Sequence, residues 1–340
     1  MGWNDISLMG SVSLKRKSVL ILLAVFISMQ FTAFSQKHTD DAQKGPEVLK
    51  FRPVHLYPKN VLNIYKYTDS TEVTRTFVDG TSTSYNRAIT FFFSLKQPAP
   101  TEKGFATVET SIDSARYWLK EKNAEIRWDS QDEMAGGINL PDLKAQTVPL
   151  GKYFNMTFSP YGDVAKIEGE KLDEYFDYIK KYGKGLKDTI ELFIWTDGAS
   201  NSRLAQIGNI NKILLPQEPI EKDSIWKTPL TLQFENINCF DSVEAKITSV
   251  QNGETRIEAL AKSIKTVPGS YRFYGIKDRL LSVKSTSGGG IYTLDITPRG
   301  TIRKAEGNFE VEMIVPIKSD SFTQKIKNHC VWELVGQFKQ

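Results

Sequence analysis

One phrase is written twice in this chain. Residues 153–169 read YFNMTFSPYGDVAKIEG, and residues 291–307 read IYTLDITPRGTIRKAEG. Each copy passes through an alternating stretch, a Ser/Thr-Pro-x-Gly turn and a closing Lys-x-Glu-Gly. A repeat of this kind restricts the chain to folds that hold the same unit twice, that is, to an internal duplication. Proline presets one backbone angle and glycine supplies another that other residues avoid. Pro160 with Gly162, and Pro298 with Gly300, therefore predict tight turns between antiparallel strands.

The alternation fixes what kind of strand flanks each turn. Phe154, Met156 and Phe158 face one way, while Tyr153, Asn155 and Thr157 face the other. Tyr292, Leu294 and Ile296 alternate in the same sense with Thr293, Asp295 and Thr297. Period-two patterning means a sheet with one apolar and one wet face, as in antiparallel meanders. The apolar face must be covered. Two amphipathic stretches supply covers. Residues 170–182 put Leu172, Tyr175, Phe176 and Ile179 on one helical stripe, with acids at the start, lysines at the end and Gly185 beyond. Residues 200–214 carry Leu204, Ile207, Ile210, Ile213 and Leu214, with Ser200 or Ser202 as N-cap and Pro216 as the stop. Residues 130–148 read as a long loop, and residues 285–290 as a flexible hairpin loop.

The expected fold class is therefore mainly β (α+β): two tandem curved antiparallel sheets with helices after the first. The boundaries are a first β-rich module with two helices at 48–215 and a second at 216–340. Ahead of them, Lys15, Arg16 and Lys17 precede an apolar run and the small residues Ala33 and Ser35. That is the pattern of a secretory signal peptide over 1–35, cleaved before Gln36, with a polar leader over 36–47. Once it is removed, no later stretch is apolar enough to predict a transmembrane span. Periplasm, outer-membrane association or the extracellular space is the expected location. In such compartments Cys239 and Cys330 either form a disulfide or stay as two buried thiols, and the sequence leaves both open.

The chain offers little chemistry. It has three histidines, His38, His55 and His329, and none stands at a metal-binding spacing from another. Neighbours on a strand point to opposite faces, so His329 and Cys330 do not make a nucleophile–base pair. Ser287 to Gly290 lacks the lysine of a phosphate loop, and the calcium-loop pattern is absent. A formal net charge of +4, part of it in the signal segment, gives no argument for nucleic acid. The expectation is a protein without enzymatic activity, cofactor or metal. An inner face made of Phe154, Met156, Phe158, Leu172, Phe176, Tyr292, Leu294 and Ile296 would line a lipid-sized cavity or fill a dense core.

The strand–turn–strand–helix phrase of 154–182 resembles the half-barrel modules of envelope lipoprotein carriers of the LolA/LolB type. The stretch LPQEPIEKDSIW at 215–226 is similar to a linker of an uncharacterised secreted family common in Bacteroidota, with Lys222 where that linker has glycine. The resemblance implies a curved sheet with helices and a hydrophobic ligand. The function expected is binding of a lipid, acyl group or lipoprotein, or of another envelope protein. An adhesive module with a filled core, and a hydrolase of unrecognised type, stand as alternatives.

Overall fold

A computed structural model of the protein describes residues 50–51, 60–97, 105–132, 140–185, 189–276, 279–318 and 320–339. The signal peptide and leader lie outside these residues. In chain order the strands are β1 (Lys50–Phe51), β2 (Val61–Phe77), β3 (Ser82–Lys96), β4 (Ala106–Glu121), β5 (Glu125–Asp129), β6 (Tyr153–Phe158) and β7 (Val164–Glu168). They continue as β8 (Ile220–Glu221), β9 (Ile225–Phe234), β10 (Ile237–Gln251), β11 (Glu254–Ala261), β12 (Lys265–Thr266), β13 (Ser285–Ile296), β14 (Ile302–Ile317) and β15 (Asp320–Lys339). Four helices among the described residues fall between β5 and β8: α1 (Pro141–Thr147), α2 (Glu170–Gly183), α3 (Thr189–Gly198) and α4 (Asn201–Gly208).

The two expected sheets are halves of one. β2-β3-β4-β6-β7 form one antiparallel meander and β9-β10-β11-β13-β14 another, and β15 lies between β14 and β2. β15 pairs along its length with β2, from Phe322 opposite Phe77 to Lys339 opposite Val61. The second half thus closes onto the start of the first, in a mainly β fold whose residues 50–340 make one compact unit. The 215/216 boundary falls between α4 and β8. The sheet is rolled about its apolar face: α4 touches β3, β7 and β9 together.

The repeated phrase takes the same local structure twice. Ser159 N–H donates to Asp163 O (2.9 Å) and Gly162 N–H to Ser159 O (3.0 Å). Thr297 with Thr301 and Gly300 with Thr297 repeat both bonds at 2.9 Å. Gly162 and Gly300 have φ of 91° and 78°, and each hairpin slips register by one residue beside the turn. This is a proline-led turn followed by a glycine bulge, which suits the twist of an antiparallel pair.

Four local expectations are corrected. Residues 141–147 of the supposed loop are α1, opened by Pro141 at its first turn. Residues 285–290 belong to β13 rather than to a loop: Phe309 lies over Gly290, where a side chain would collide with it. The second helix stops at Gly208, and 209–214 run on without helix. α3 was not foreseen, because it is apolar on every side and shows no one-sided stripe.

Candidate functional site

The inner face of the rolled sheet is the obvious place for a ligand. Tyr67 of β2, Phe91 and Phe93 of β3, Phe154 and Met156 of β6, Tyr292 and Leu294 of β13 and Trp332 of β15 are all fully buried there. Phe158, Leu172 and Ile296 join the same core, and Phe176 packs against it. All eight side chains singled out in the sequence therefore come together, and they do so as packing. None lines the cavities described below.

What fills the space is the chain itself. Ser200 caps α4 by accepting from Arg203 N–H, and Leu204 and Ile207 point into the sheet. Gly208 crosses β6 closely: a Cβ there would stand 2.6 Å from Met156 Cε. Ile210 and Ile213 carry the apolar face onward after the helix ends. Polar ties fix this cover to the sheet. Trp332 Nε1 donates to Ile207 O (2.9 Å), Tyr292 donates to Ile210 O, and Gln206 Nε2 donates to the Tyr67 hydroxyl (3.1 Å). Lys212 is buried, donates to Ala205 O (2.8 Å) and Gln206 O (3.0 Å), and has its ammonium 5.1 Å from the centre of the Trp332 ring. Burial lowers its pKa to about 7.

Two polar clusters sit behind the cover. Asp69 accepts from Tyr67 (3.1 Å), Thr71 (3.2 Å) and Asn328 (2.5 Å) on the inward face of β2 and β15. At one end, Arg87 of β3 bridges Asp142 of α1 (3.2 Å) and Glu235 of the β9–β10 turn (3.1 Å). Tyr117 and Arg272 also donate to Asp142, at 2.8 and 3.1 Å. Burial alone would raise the Asp142 carboxyl; the Arg87 and Arg272 guanidiniums outweigh it and lower its pKa. This cluster locks the two halves together. The sequence carried one sign of it, Arg87 on the inward parity of β3.

Both cysteines are buried free thiols in this structure. Cys239 lies on β10 and Cys330 on β15, with β11, β13 and β14 between them in the sheet. Burial pushes the Cys239 thiol up to about 12 and Cys330 higher still. His329 is exposed on the other face and meets Glu306 Oε1 at 2.9 Å. Bonds from Lys304 and then His329 lower Glu306 to about 2. Among the described residues no cluster of three or more His, Cys, Asp or Glu side chains is placed to hold a metal ion.

Among the described residues, hollows of different size accompany the filled core. An open groove of about 860 Å³ crosses β13, β14, β15, β2, β3 and β4, with Glu72, Asn86, Trp118, Glu310, Lys327 and His329 on its wet side. A smaller one of about 250 Å³ lies where β7 and β9, the outer strands of the two meanders, face each other across the cover.

No protein-family model matches the chain, and no curated protein matches it significantly. Among similar solved structures is one described as lipid–protein interactions in lipovitellin, with TM-score 0.43 and 11% identity over 84% of this chain. The chain spans 26% of the lipovitellin chain. The translocator domain of the autotransporter NalP from Neisseria meningitidis aligns with TM-score 0.15 and 8% identity, over 93% of this chain and 97% of that one. OccK1 of Pseudomonas aeruginosa aligns with TM-score 0.15 and 7% identity, over 82% and 99%. Among the described residues no helix is long and apolar enough to cross a membrane, which does not bear on spans built from strands.

Proposed function

We propose that this is an exported, non-enzymatic envelope protein that takes a long acyl group, free or attached to a lipoprotein, between the rolled sheet and its cover. One observation carries the reading: β7 and β9 lie at the two edges of the sheet without pairing to each other, and among the described residues the segment 201–214 occupies the gap, meeting β9 at the bridge Ile213–Leu230. An aromatic-rich inner face closed by a removable segment is a ligand-binding arrangement. Lifting the cover exposes Leu204, Ile207, Ile210 and Ile213 and breaks its ties to Trp332, Tyr292, Tyr67, Gln146, Thr228 and Trp226, so a ligand must return a large apolar area to displace it. A chain of sixteen carbons returns about 12 kcal/mol at about 0.8 kcal/mol per methylene, about twice the return of an eight-carbon chain. The signal-peptide pattern supports export to the periplasm, the outer membrane or beyond.

The test is lipid extracted from protein purified out of its native envelope, followed by titration of the delipidated protein with a sixteen-carbon and an eight-carbon fatty acid. Saturable uptake of the longer acid alone is expected. Absence of lipid in the extract and of uptake in the titration would refute the reading. The packed core favours a second reading, an interaction module that uses the outer groove and carries no lipid; a lipid-free extract together with a co-purifying envelope protein would select it.

A further inference from the structure

We propose that the seam between β7 and β9 is a separate site for the main chain of an extended partner peptide. The cavity there, about 250 Å³, is lined by Val164 beside the repeated turn, by Asn209 and Asn211 of the cover, and by Thr231, Gln233 and Asn238 of β9 and β10. Asn211 and Gln233 are each only 2% exposed. Both amide atoms of Asn211, together with Asn209 Oδ1 and Gln233 Oε1, are buried without a hydrogen-bond partner. Gln233 spends its donor on Asn238 Oδ1 at 3.1 Å. Three amides thus present one donor and three acceptors to a single hollow. Buried polar atoms are normally paired, so a group of orphans around one space marks a place built for a polar occupant.

The chemistry selects that occupant. A side-chain amide is a copy of the peptide unit, so Asn211 can accept a peptide N–H and donate to a peptide C=O at once. Lys212 is committed to Ala205 O and Gln206 O, which leaves no cation here for an anionic ligand. Among the described residues the lining holds no aromatic ring on which a sugar would stack. Val164 and Leu232 suit apolar side chains of a strand, and β9, paired with β10 on one side, meets the cover on the other at the bridge Leu230–Ile213, the kind of edge that strand addition extends. Gly162 makes the room: a Cβ there would stand 2.8 Å from Asn211 Nδ2. Nothing in this argument depends on acyl binding.

The experiment follows the side-chain amide resonances of Asn211 and Gln233 in the ¹⁵N-labelled full chain. The probe is a neutral blocked tripeptide, acetyl-Ala-Val-Ala-amide, added to about 10 mM, a range set by two or three hydrogen bonds. Both resonances should shift saturably. Asn211→Leu should weaken binding about tenfold, since it removes two bonds, without lowering Tm. Gln233→Leu gives the same reading from the opposite wall should the first variant misfold. Three results would overturn the proposal: no shift with the tripeptide, a stronger response to N-acetylglucosamine, or movement of these resonances when residues 36–49 are deleted with no peptide present. The last would make the chain's own leader the occupant. Asn209 and Asn211 belong to the cover that acyl binding would lift, so the peptide titration uses delipidated protein and fatty-acid uptake is measured apart from it; loss of one without the other tells the two readings apart.

Discussion

The two copies of the repeated phrase begin alike and end differently. Asn155 pairs with Glu168 and Met156 with Ile167; at the matching positions Thr293 pairs with Glu306 and Leu294 with Ala305. Phe158 opposite Val164 and Ile296 opposite Ile302 flank the same bulge. Then the copies part at their closing glycines. After Gly169 the sequence EKLDEYF turns to helical spacing and becomes α2; after Gly307 the sequence NFEVEMIV keeps alternating and β14 runs on to Ile317. The first hairpin therefore ends a meander and faces the cover, whereas the second lies in mid-sheet with β11 and β15 beside it. Local turn chemistry is shared; the periodicity that follows decides the place in the fold.

Matched substitutions test how far that difference reaches. Ile302 is fully buried, and its counterpart Val164 is only half-buried. We expect Ile302→Ala to cost about 2–5 kcal/mol in chemical denaturation and Val164→Ala under about 1.5 kcal/mol. Equal losses would break the contrast. The cover, which belongs to neither copy, gives the next largest effect. Lys212 has its pKa lowered from 10.5 to about 7, so between those values the unfolded chain binds more protons than the folded one. Stability should rise with pH over that window, by at most about 1.4 kcal/mol per pH unit, and be flat there in Lys212→Met. Urea midpoints from pH 6 to 10 read this directly.

Glycine swaps come third. Gly162→Ala and Gly300→Ala both force alanine into a left-handed turn, at about 1–3 kcal/mol each. Gly162→Ala should cost more, because it also meets Asn211; the order of the two Tm values checks it. The smallest effect is at Glu306, whose pKa is lowered to about 2 by Lys304 and His329. Its contribution is present above the ordinary carboxylate pKa and is lost as pH falls toward 2, so Glu306→Gln should flatten the acid limb of the stability profile slightly and leave the neutral region alone.

Much of this contrast was legible in the residues. Period-two alternation placed the faces of β6 and β13, and Pro-x-Gly placed their turns. The stripe through Leu172, Phe176 and Ile179 placed α2. The end of α4 was not legible, because Ile210 and Ile213 suit either a helix or an extended strip along an apolar wall. The joining of the halves was hidden as well, since β15 and β2 pair residues from opposite ends of the chain. The seam was the least visible. Asn209, Asn211 and Gln233 look like ordinary surface amides until the roll of the sheet buries them. The phrase GNINKILL held the one hint, two asparagines inside an apolar run.

The central claim is that residues 201–214 are a displaceable closure. Hydrogen exchange of that segment, with and without a saturating sixteen-carbon fatty acid, tests it most directly. Faster exchange at Ile207 to Ile213 with β2 and β15 unchanged is the expected result. Undiminished protection of the segment in a protein that demonstrably holds the ligand would contradict the account.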